Sequence, residues 1–278
     1  MTPAELLRPI RMTIYKAVSY VVDRRLRPLG WTPIQERHER DVYIVGFPKS
    51  GHNWMQNIAT GLIYGLQPGA LPDSLVQDLI PDIDYQPRYR RHFSETVFRT
   101  HSLPRPELRR VIYLLRDPRD VFVSNLHYLR AVQEESLTPL ELLQDPKESG
   151  IGWREHVESW LANPFGAEIL VIKFEDLSAN PVGECLRILK HLQVERTHSE
   201  IEQVVEQTTF ERLRSKERRF GKANPPEWPR SKPFYRRGRV GSYRDEISPQ
   251  ILERLLAQVG PTLQSCGYSD SDGKPESE

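Results

Sequence analysis

The sequence predicts an α/β fold: a single domain built on a doubly wound parallel sheet with helices on both faces. Short apolar segments alternate along the chain with segments of helical periodicity, which is the pattern of repeated βαβ units. Several apolar segments are nearly continuous runs, as expected of parallel strands that helices cover on both sides. A chain of 278 residues is long enough to bury one large core of this kind.

Segments rich in Val, Ile, Leu or aromatic residues predict strands at residues 42–47, 96–100, 110–115 and 168–174. Apolar residues at helical spacing predict helices at residues 52–64, 118–132, 153–161, 180–192, 199–207 and 249–266. Asp117 and Pro118 suit the N-cap and the first turn of the second helix. Segments 67–95 and 220–241 are punctuated by Pro or Gly, and we expect both to be irregular connections.

The composition divides the chain into residues 1–38, 39–268 and 269–278. The first part is rich in Arg and places apolar residues near helical spacing, so we expect a helical extension that packs on the domain or on a partner subunit. Peripheral contact of this helix with a membrane surface stays open, as does a homodimer. The second part carries every predicted strand. The last part is polar, and we expect a disordered tail.

Composition and charge limit the class of partner and the compartment. The net charge is +1, so no nucleic-acid partner is expected from the chain as a whole. The two cysteines, Cys185 and Cys266, are far apart and form no disulfide framework, which fits a reducing, cytoplasmic location. No segment reaches the roughly 18–20 apolar residues that a membrane span needs.

The segment from Gly46 to Trp54 has the form of a P-loop-like anion site. A strand run ends in a Gly/Pro turn, and a helical pattern follows. Gly46 and Gly51 have the G-x-x-x-x-G spacing of nucleotide triphosphatases, but His52 and Asn53 follow where Lys and Ser or Thr are expected. The hydroxyl that would hold Mg²⁺ is therefore missing, and Lys49 lies inside the loop instead. The pattern favours a phosphate site without a metal; the alternative is an ordinary turn between strand and helix.

Two further segments carry cations at similar positions. Arg116 follows the strand at 110–115, and its planar fork matches phosphate; Ser124 lies two helical turns later. Residues 211–239 hold eleven Lys or Arg and three Glu, including Arg236-Arg237-Gly238. This basic run predicts a loop that wraps an anion, and its interleaved aromatic residues leave RNA binding as an alternative. Solvated surface charge is the simpler interpretation of either segment.

Three motifs in this order resemble the cytosolic-type sulfotransferases, which use 3′-phosphoadenosine 5′-phosphosulfate (PAPS) as sulfuryl donor and release 3′-phosphoadenosine 5′-phosphate (PAP). Residues 47–54 are similar to the family's P-K-S-G-T-T-W loop, residues 116–124 to its 3′-phosphate element, and residues 236–241 to its R-K-G-x-x-G loop. Weaker matches are Arg99-Thr100-His101 for K-T-H, Phe174-Glu175-Asp176 for Y-E-D, and Thr208-Thr209-Phe210 for T-S-F. The resemblance covers roughly residues 40–265.

The resemblance implies a role for each matched position. It implies that Lys49 contacts the leaving phosphate and the sulfuryl group, and that His101 is the general base. The remaining cofactor-binding positions are Ser50, Gly51, His52 and Asn53 for the 5′-phosphate; Trp54, Phe174 and Thr208 for the adenylate; and Arg116, Ser124, Arg236, Arg237 and Gly238 for the 3′-phosphate. It also implies in-line transfer to a hydroxyl or amine, with no metal.

This chain departs from the family pattern at several of these positions. His52-Asn53 replaces Thr-Thr, and Arg99 replaces the Lys before Thr-His. The acceptor cannot be derived from the motifs: a small molecule, a glycan and a lipid head group stay open, with Phe47, Phe93 and Tyr128 as candidate wall residues. Two other functions also stay open, a P-loop nucleotide kinase or triphosphatase and a non-catalytic nucleotide- or RNA-binding module.

Overall fold

A parallel four-stranded sheet organises the structure, a computed structural model that describes residues 21–133, 135–223, 228–229 and 231–269. The strands of the described residues are, in chain order, β1 (Trp31–Pro33), β2 (Val42–Gly46), β3 (Arg88–Arg90), β4 (Val97–Thr100), β5 (Arg110–Leu115) and β6 (Glu168–Lys173). The main sheet has the order β4-β2-β5-β6 with every pair parallel, while β1 and β3 form a small antiparallel ribbon.

Helices follow the strands and cover both faces of the main sheet. After residue 51 of the described chain they are, in order, α1 (His52–Tyr64), α2 (Asp73–Leu79), α3 (Pro118–Val132), α4 (Pro139–Gln144), α5 (Gly150–Ala162), α6 (Phe174–Ala179), α7 (Pro181–Leu192), α8 (His198–Gln207), α9 (Phe210–Phe220) and α10 (Pro249–Ser265). Single 3₁₀ turns lie at Arg27–Leu29, Pro68–Ala70 and Ser242–Asp245.

The two faces of β2 belong to two different cores. Tyr43 and Val45 pack with apolar residues of α3, α5 and α10, whereas Val42 and Ile44 pack with those of α1, α7 and α8. Every residue of β2 is buried. This explains why the strand reads as a continuous apolar run and confirms the doubly wound α/β class.

The order of the strands fixes the position of a ligand site. From β2 the chain crosses to β4 on one side, and β5 and β6 lie on the other side, so the winding direction changes next to β2. In open α/β sheets, ligands bind at such a switch point, beyond the carboxyl ends of the strands. The loops after Gly46, Thr100 and Leu115 all start there.

The predicted strands and helices agree with the structure to within a few residues, but several observed elements were not predicted: β1, α4 and α6, the elements of segment 67–95, and α9. Segment 67–95 is not wholly irregular, because it contains α2 and β3. Helix α9 has no counterpart among the predictions: it is strongly charged, and it buries Leu213 and the long side chain of Lys216 where an apolar residue would normally mark the face. Lys216 fills this position because its ammonium donates to Asn57 Oδ1 over 2.6 Å.

Most of the two terminal predictions lie outside the described residues, namely residues 1–20 of the helical extension and residues 270–278 of the tail. Residues 21–26 are helical. Across the part of the chain that the structure describes, no helix combines the length and the apolar character that crossing a membrane would need.

Candidate active site

One cavity of about 660 Å³ lies at the carboxyl ends of β2, β4 and β5. It is lined by most of the residues that the motifs singled out: Lys49, Gly51, His52, Asn53, Trp54, His101, Arg116, Ser124, Tyr128, Phe174, Thr208, Arg236, Arg237 and Gly238. These residues are separated by as many as 189 positions in sequence, from 49 to 238, and the parallel sheet brings them together.

The loop between β2 and α1 turns sharply because two of its residues have left-handed backbone. The φ angle is 70° at Lys49 and 110° at Gly51. Gly51 is the N-cap of α1 and offers no side chain to the helix, so the first N–H groups of α1 have no side-chain cap. A Cβ at position 51 would lie 3.1 Å from the Phe174 ring. The loop therefore presents a bare helix N-terminus, which favours an anionic ligand.

Arg116 joins the end of β5 to this loop. Its Nη1 donates to the Lys49 carbonyl over 3.1 Å, and its guanidinium lies 4.1 Å from the centre of the Phe174 ring. Burial lowers the pKa of Arg116, although Asp120, Glu175 and Asp117 act in the opposite direction. The guanidinium stays charged, so an anion bound beside it would be strongly favoured.

Several buried polar atoms of this region have no hydrogen-bond partner within the protein. They are Ser50 Oγ, both ring nitrogens of His52, Trp54 Nε1 and Arg116 Nε. Buried polar groups are normally hydrogen-bonded, so a group of them around one loop indicates a ligand site. Most of these atoms can donate, which fits an anionic group carrying several acceptor oxygens.

Asp120 holds the third motif against the second. It is fully buried in α3 and accepts hydrogen bonds from Gly241 N over 2.7 Å, Ser242 Oγ over 3.1 Å and Tyr243 N over 3.0 Å. Its Oδ2 also lies 3.8 Å from Arg116 Nη2. The position of the Arg236–Gly241 loop is therefore tied to the position of Arg116.

Three arginines of that loop, Arg236, Arg237 and Arg239, reach the cavity while paired with carboxylates. Arg236 binds Glu246 through two hydrogen bonds of 2.7 and 2.9 Å, and Arg237 Nη1 lies 3.3 Å from Asp245 Oδ2. Gly238 has φ of 63° and packs so closely against the Phe210 ring that a side chain there would collide with it. Glycine is required here for both reasons.

The ammonium of Lys49 lies in an aromatic environment. It is 4.2 Å from the centre of the Tyr128 ring and 4.8 Å from that of Phe234. Burial, with Arg99, Arg116 and Lys222 adding positive charge, lowers the pKa of Lys49 to about 7. A nearby anion would restore the protonated form.

His101 is fixed from three directions. Its Nδ1 lies 2.9 Å from the carbonyl of Gly46, which can only accept, so Nδ1 carries the proton. Its backbone N–H donates to Asp84 Oδ2 over 2.9 Å, and its Nε2 lies 3.1 Å from Arg99 Nη2. Burial and the charge of Arg99 lower the pKa of His101 to about 3, so the ring is neutral at pH 7.

Helix α5 supports the segments after β4 and β5 through side-chain donors. His156 Nε2 donates to the His101 carbonyl over 3.2 Å, Trp160 Nε1 to the Ser102 carbonyl over 3.0 Å, and Trp153 Nε1 to the Arg116 carbonyl over 3.2 Å. No functional role was predicted for these three residues. Their separations of three, four and seven residues place them on one helix face, and this spacing is the sequence signal that could have identified them as a group.

The three residues predicted to form the acceptor wall lie in three different places. Tyr128 lines the cavity. Phe47 is buried in the core and contacts His156 edge to face, because its side chain points to the sheet face covered by α5. Phe93 lies before β4, near the amino ends of the strands and away from the cavity, and packs on Tyr64 with ring centres 5.4 Å apart. The cavity wall instead includes Tyr85, Arg99, Phe210, Phe234 and Tyr235, none of which the sequence analysis named as site residues.

Residues 21–133, 135–223, 228–229 and 231–269 contain no group of three or more His, Cys, Asp or Glu side chains placed to hold a metal ion.

Comparison with known proteins gives the family. The family model described as the sulfotransferase domain matches residues 39–267, and the chain therefore belongs to the sulfotransferase family. This family membership supports the sulfotransferase prediction over the nucleotide kinase or triphosphatase and the RNA-binding module that the sequence had left open.

Similar proteins include several plant and animal sulfotransferases. The flavonol 3-sulfotransferase of Flaveria bidentis is 26% identical over 261 residues, covering 83% of this chain and 84% of the relative. The amine sulfotransferase of Oryctolagus cuniculus is 25% identical over 240 residues, covering 79% of each. Among solved structures, retinol dehydratase in complex with androsterone and inactive cofactor PAP has a TM-score of 0.62 at 18% identity, covering 82% of this chain and 81% of that one. This last likeness concerns the fold.

Proposed function

We propose that this protein transfers the sulfuryl group of PAPS to a hydroxyl or amine of a small-molecule acceptor, with His101 as general base. The observation that carries the proposal is the convergence of Lys49, Arg116 and His101 on one cavity, with Arg116 bonded to the Lys49 carbonyl over 3.1 Å. Two cations and a neutral imidazole thus surround the same space. PAPS, when bound, supplies the sulfuryl group that is transferred.

The residues around the cavity fit an adenylate with two separated phosphates. Residues 50–53 offer the N-terminus of α1 and unpartnered donors to the 5′-phosphate. Arg116 and Ser124 offer donors to the 3′-phosphate, with Arg236, Arg237 and Gly238 closing over it. Trp54, Phe174 and Thr208 line the wall where the adenine would lie, and the Trp54 and Phe174 rings meet edge to face at 5.3 Å.

Lys49 stabilises negative charge at the leaving phosphate. Its low pKa in the free protein results from burial and three nearby cations, so an anion beside it holds the ammonium protonated. Preorganised cations at a developing charge typically contribute about 10²–10³ in rate.

His101 accepts the acceptor's proton at Nε2. The Gly46 carbonyl fixes the Nδ1–H tautomer, so the lone pair of Nε2 is the basic site of the ring. Because burial and Arg99 keep the ring neutral, no proton has to be removed before catalysis. General base catalysis typically contributes about 10²–10⁴ in rate when the pKa of the base lies near the working pH, so the bound anion must raise the pKa of His101 from about 3.

The part of the cavity beside Lys49, which we call the acceptor chamber, favours a small molecule with an apolar ring. Tyr128 and Phe234 form its wall next to Lys49, and Trp228 stacks on Tyr128 with ring centres 5.9 Å apart. Relatives are named for flavonol and amine sulfation, and one structural neighbour holds androsterone. Homodimer formation, membrane contact by residues 1–38 and a cytoplasmic location stay predictions.

The test is transfer of ³⁵S from labelled PAPS to a panel of phenols, alcohols, amines, glycans and lipids. We expect transfer to at least one small molecule, lost in Lys49→Ala and His101→Ala and kept in His198→Ala, whose imidazole is exposed on α8. A thermal-shift series with PAP, ATP with Mg²⁺, and RNA accompanies it, and PAP alone should stabilise the protein strongly. Stabilisation by ATP with Mg²⁺ but not by PAP would overturn the proposal.

A further inference from the structure

Arg99, which replaces the family's Lys in the segment Arg99-Thr100-His101, is held by three partners from three parts of the chain. Its Nε lies 3.2 Å from Asp82 Oδ2, its Nη1 donates to Gln56 Oε1 over 3.1 Å, and its Nη2 lies 3.1 Å from His101 Nε2. Arg99 is only 8% exposed. A guanidinium can make these contacts simultaneously because its donors form a planar fork, which an ammonium lacks.

The partners of Arg99 are themselves fixed. Gln56 Nε2 donates to the Ile80 carbonyl over 2.8 Å and to Gln77 Oε1 over 3.1 Å, so its oxygen is left to face Arg99. Asp82 is fully buried and adjoins Arg99 through an isolated parallel bridge. Moving Arg99 away would leave the Asp82 carboxylate buried without its cation, which is strongly unfavourable.

The contact with His101 has a defined direction. Nδ1 of His101 must donate, because the Gly46 carbonyl is its partner. Nε2 of the neutral ring must then accept, and the Arg99 guanidinium has only donors. Arg99 is therefore hydrogen-bonded to the same lone pair that would receive the acceptor's proton.

We propose that Arg99 is the positioning residue of His101: by donating to Nε2 it holds the ring, whose Nδ1–H tautomer the Gly46 carbonyl fixes, with Nε2 facing the cavity, and the acceptor's hydroxyl or amine must replace the Arg99 N–H at that lone pair. This inference rests on the proposed role of His101 as general base. It assigns a function to the Lys-to-Arg departure, because a lysine here could not contact Asp82, Gln56 and His101 through one planar group.

Several groups around His101, and not Arg99 alone, keep its ring neutral. The groups that face it from the packed elements are Arg99 on β4, Lys49 on the loop after β2, His52 on α1, His156 on α5, and Asp84, which accepts its backbone N–H. Burial is the largest cause of the low pKa of His101, and Arg99 is the second. Removing the Arg99 charge would raise that pKa, and the ring would protonate at higher pH.

The test uses ¹⁵N-histidine NMR on the full chain, without acceptor or PAPS. His101 resonances are assigned by their loss in His101→Asn. We expect Arg99→Gln to move the Nε2 resonance of His101 toward the value of a lone pair without a donor and to raise its titration midpoint, while Nδ1 stays protonated. Arg99→Lys should keep the low midpoint and lose part of the hydrogen-bond shift.

The control is Arg91→Gln, which breaks another buried ion pair, with Asp41, away from the cavity. Should Arg99→Gln fail to fold, Asp82→Asn combined with Arg99→Gln removes both charges and keeps the test. An unchanged Nε2 resonance in a folded Arg99 variant overturns the inference. Because the readout needs no turnover, this failure is distinct from an absence of ³⁵S transfer, which would count against the proposed function.

Discussion

The Lys222 ammonium lies 2.8 Å from each carboxylate oxygen of Asp73, and both side chains are buried. The same ammonium also donates to Asn53 Oδ1 over 3.0 Å, in the first turn of α1. Asp73 further accepts from Ala223 N over 3.0 Å. The segment after α9 is therefore attached both to α2 and to the helix N-terminus that we propose binds the 5′-phosphate.

Asp73→Ala should destabilise the protein by about 3–5 kcal/mol, because it leaves the Lys222 charge buried without a partner. Urea unfolding followed by circular dichroism measures this change. The matched control is Glu135→Ala, which breaks the exposed pair with Lys232 and should cost less than about 1 kcal/mol. Equal effects in the two variants would mean that the Lys222–Asp73 pair is not the structural attachment described above.

PAP binding should weaken as the pH rises above 7. The Lys49 pKa is about 7 in the free protein, and a bound anion raises it, so binding above pH 7 requires proton uptake. Isothermal titration calorimetry in buffers of different ionisation enthalpy measures that uptake. Lys49→Met should bind PAP less tightly and lose most of the pH dependence between 7 and 9. A wild-type affinity that is flat over this range would contradict the assignment of the low pKa to Lys49.

Gly46→Ala should reduce both stability and catalysis. A Cβ at this position would lie 2.6 Å from the Leu114 carbonyl oxygen and 3.2 Å from His52 Cε1, and the Gly46 carbonyl is also the partner of His101 Nδ1. Overpacking typically costs about 1–3 kcal/mol. Thermal unfolding and ³⁵S transfer report the two effects. Gly260→Ala is the control: its Cβ would meet nothing within 4 Å, so it should affect stability much less than Gly46→Ala and leave ³⁵S transfer unchanged.

Asp120→Asn should raise the PAP dissociation constant by about tenfold, since hydrogen bonds to a buried charge contribute about 1.5–3 kcal/mol each and the Arg236–Gly241 loop depends on them. The defect should appear in the KM for PAPS more than in kcat, because Asp120 holds a binding loop. Asp245→Asn, in the 3₁₀ turn that follows this loop and with an exposed side chain, should change the affinity much less. A pure kcat defect in Asp120→Asn would argue against this role.

The sequence predicted the strands, the larger helices and the loop positions because parallel strands and amphipathic helices leave strong local patterns. Val42–Gly46 is apolar at every position except its terminal glycine, and the Asp117 N-cap with Pro118 marks the start of α3 in both sequence and structure. Motif order then placed Lys49, His101 and Arg116 at strand ends that meet at the switch point.

The sequence could not predict the residues that act across long separations. Lys222 binds Asp73 and Asn53, and Asp120 binds the loop at Gly241; such pairs are specified by the packing of elements and not by spacing. Helix α9 was missed for a related reason, since Lys216 is buried only because Asn57 of α1 accepts its ammonium. Phe93 lies outside the cavity lining, and aromatic character alone does not tell whether a residue lies near the amino or the carboxyl ends of the strands.

The side-chain donors of α5 contact main-chain oxygens, so these contacts do not depend on which side chains line the cavity. Trp153 and Trp160 are seven residues apart, a separation of about 10.5 Å along a helix. Their indole N–H groups donate to the backbone after β5 and after β4, and so hold these two segments at a fixed separation. Substitutions at Tyr85, Tyr128 or Val132 can therefore reshape the cavity wall while the spacing between His101 and Arg116 is preserved. New acceptors are accessible to this scaffold without rebuilding its chemistry.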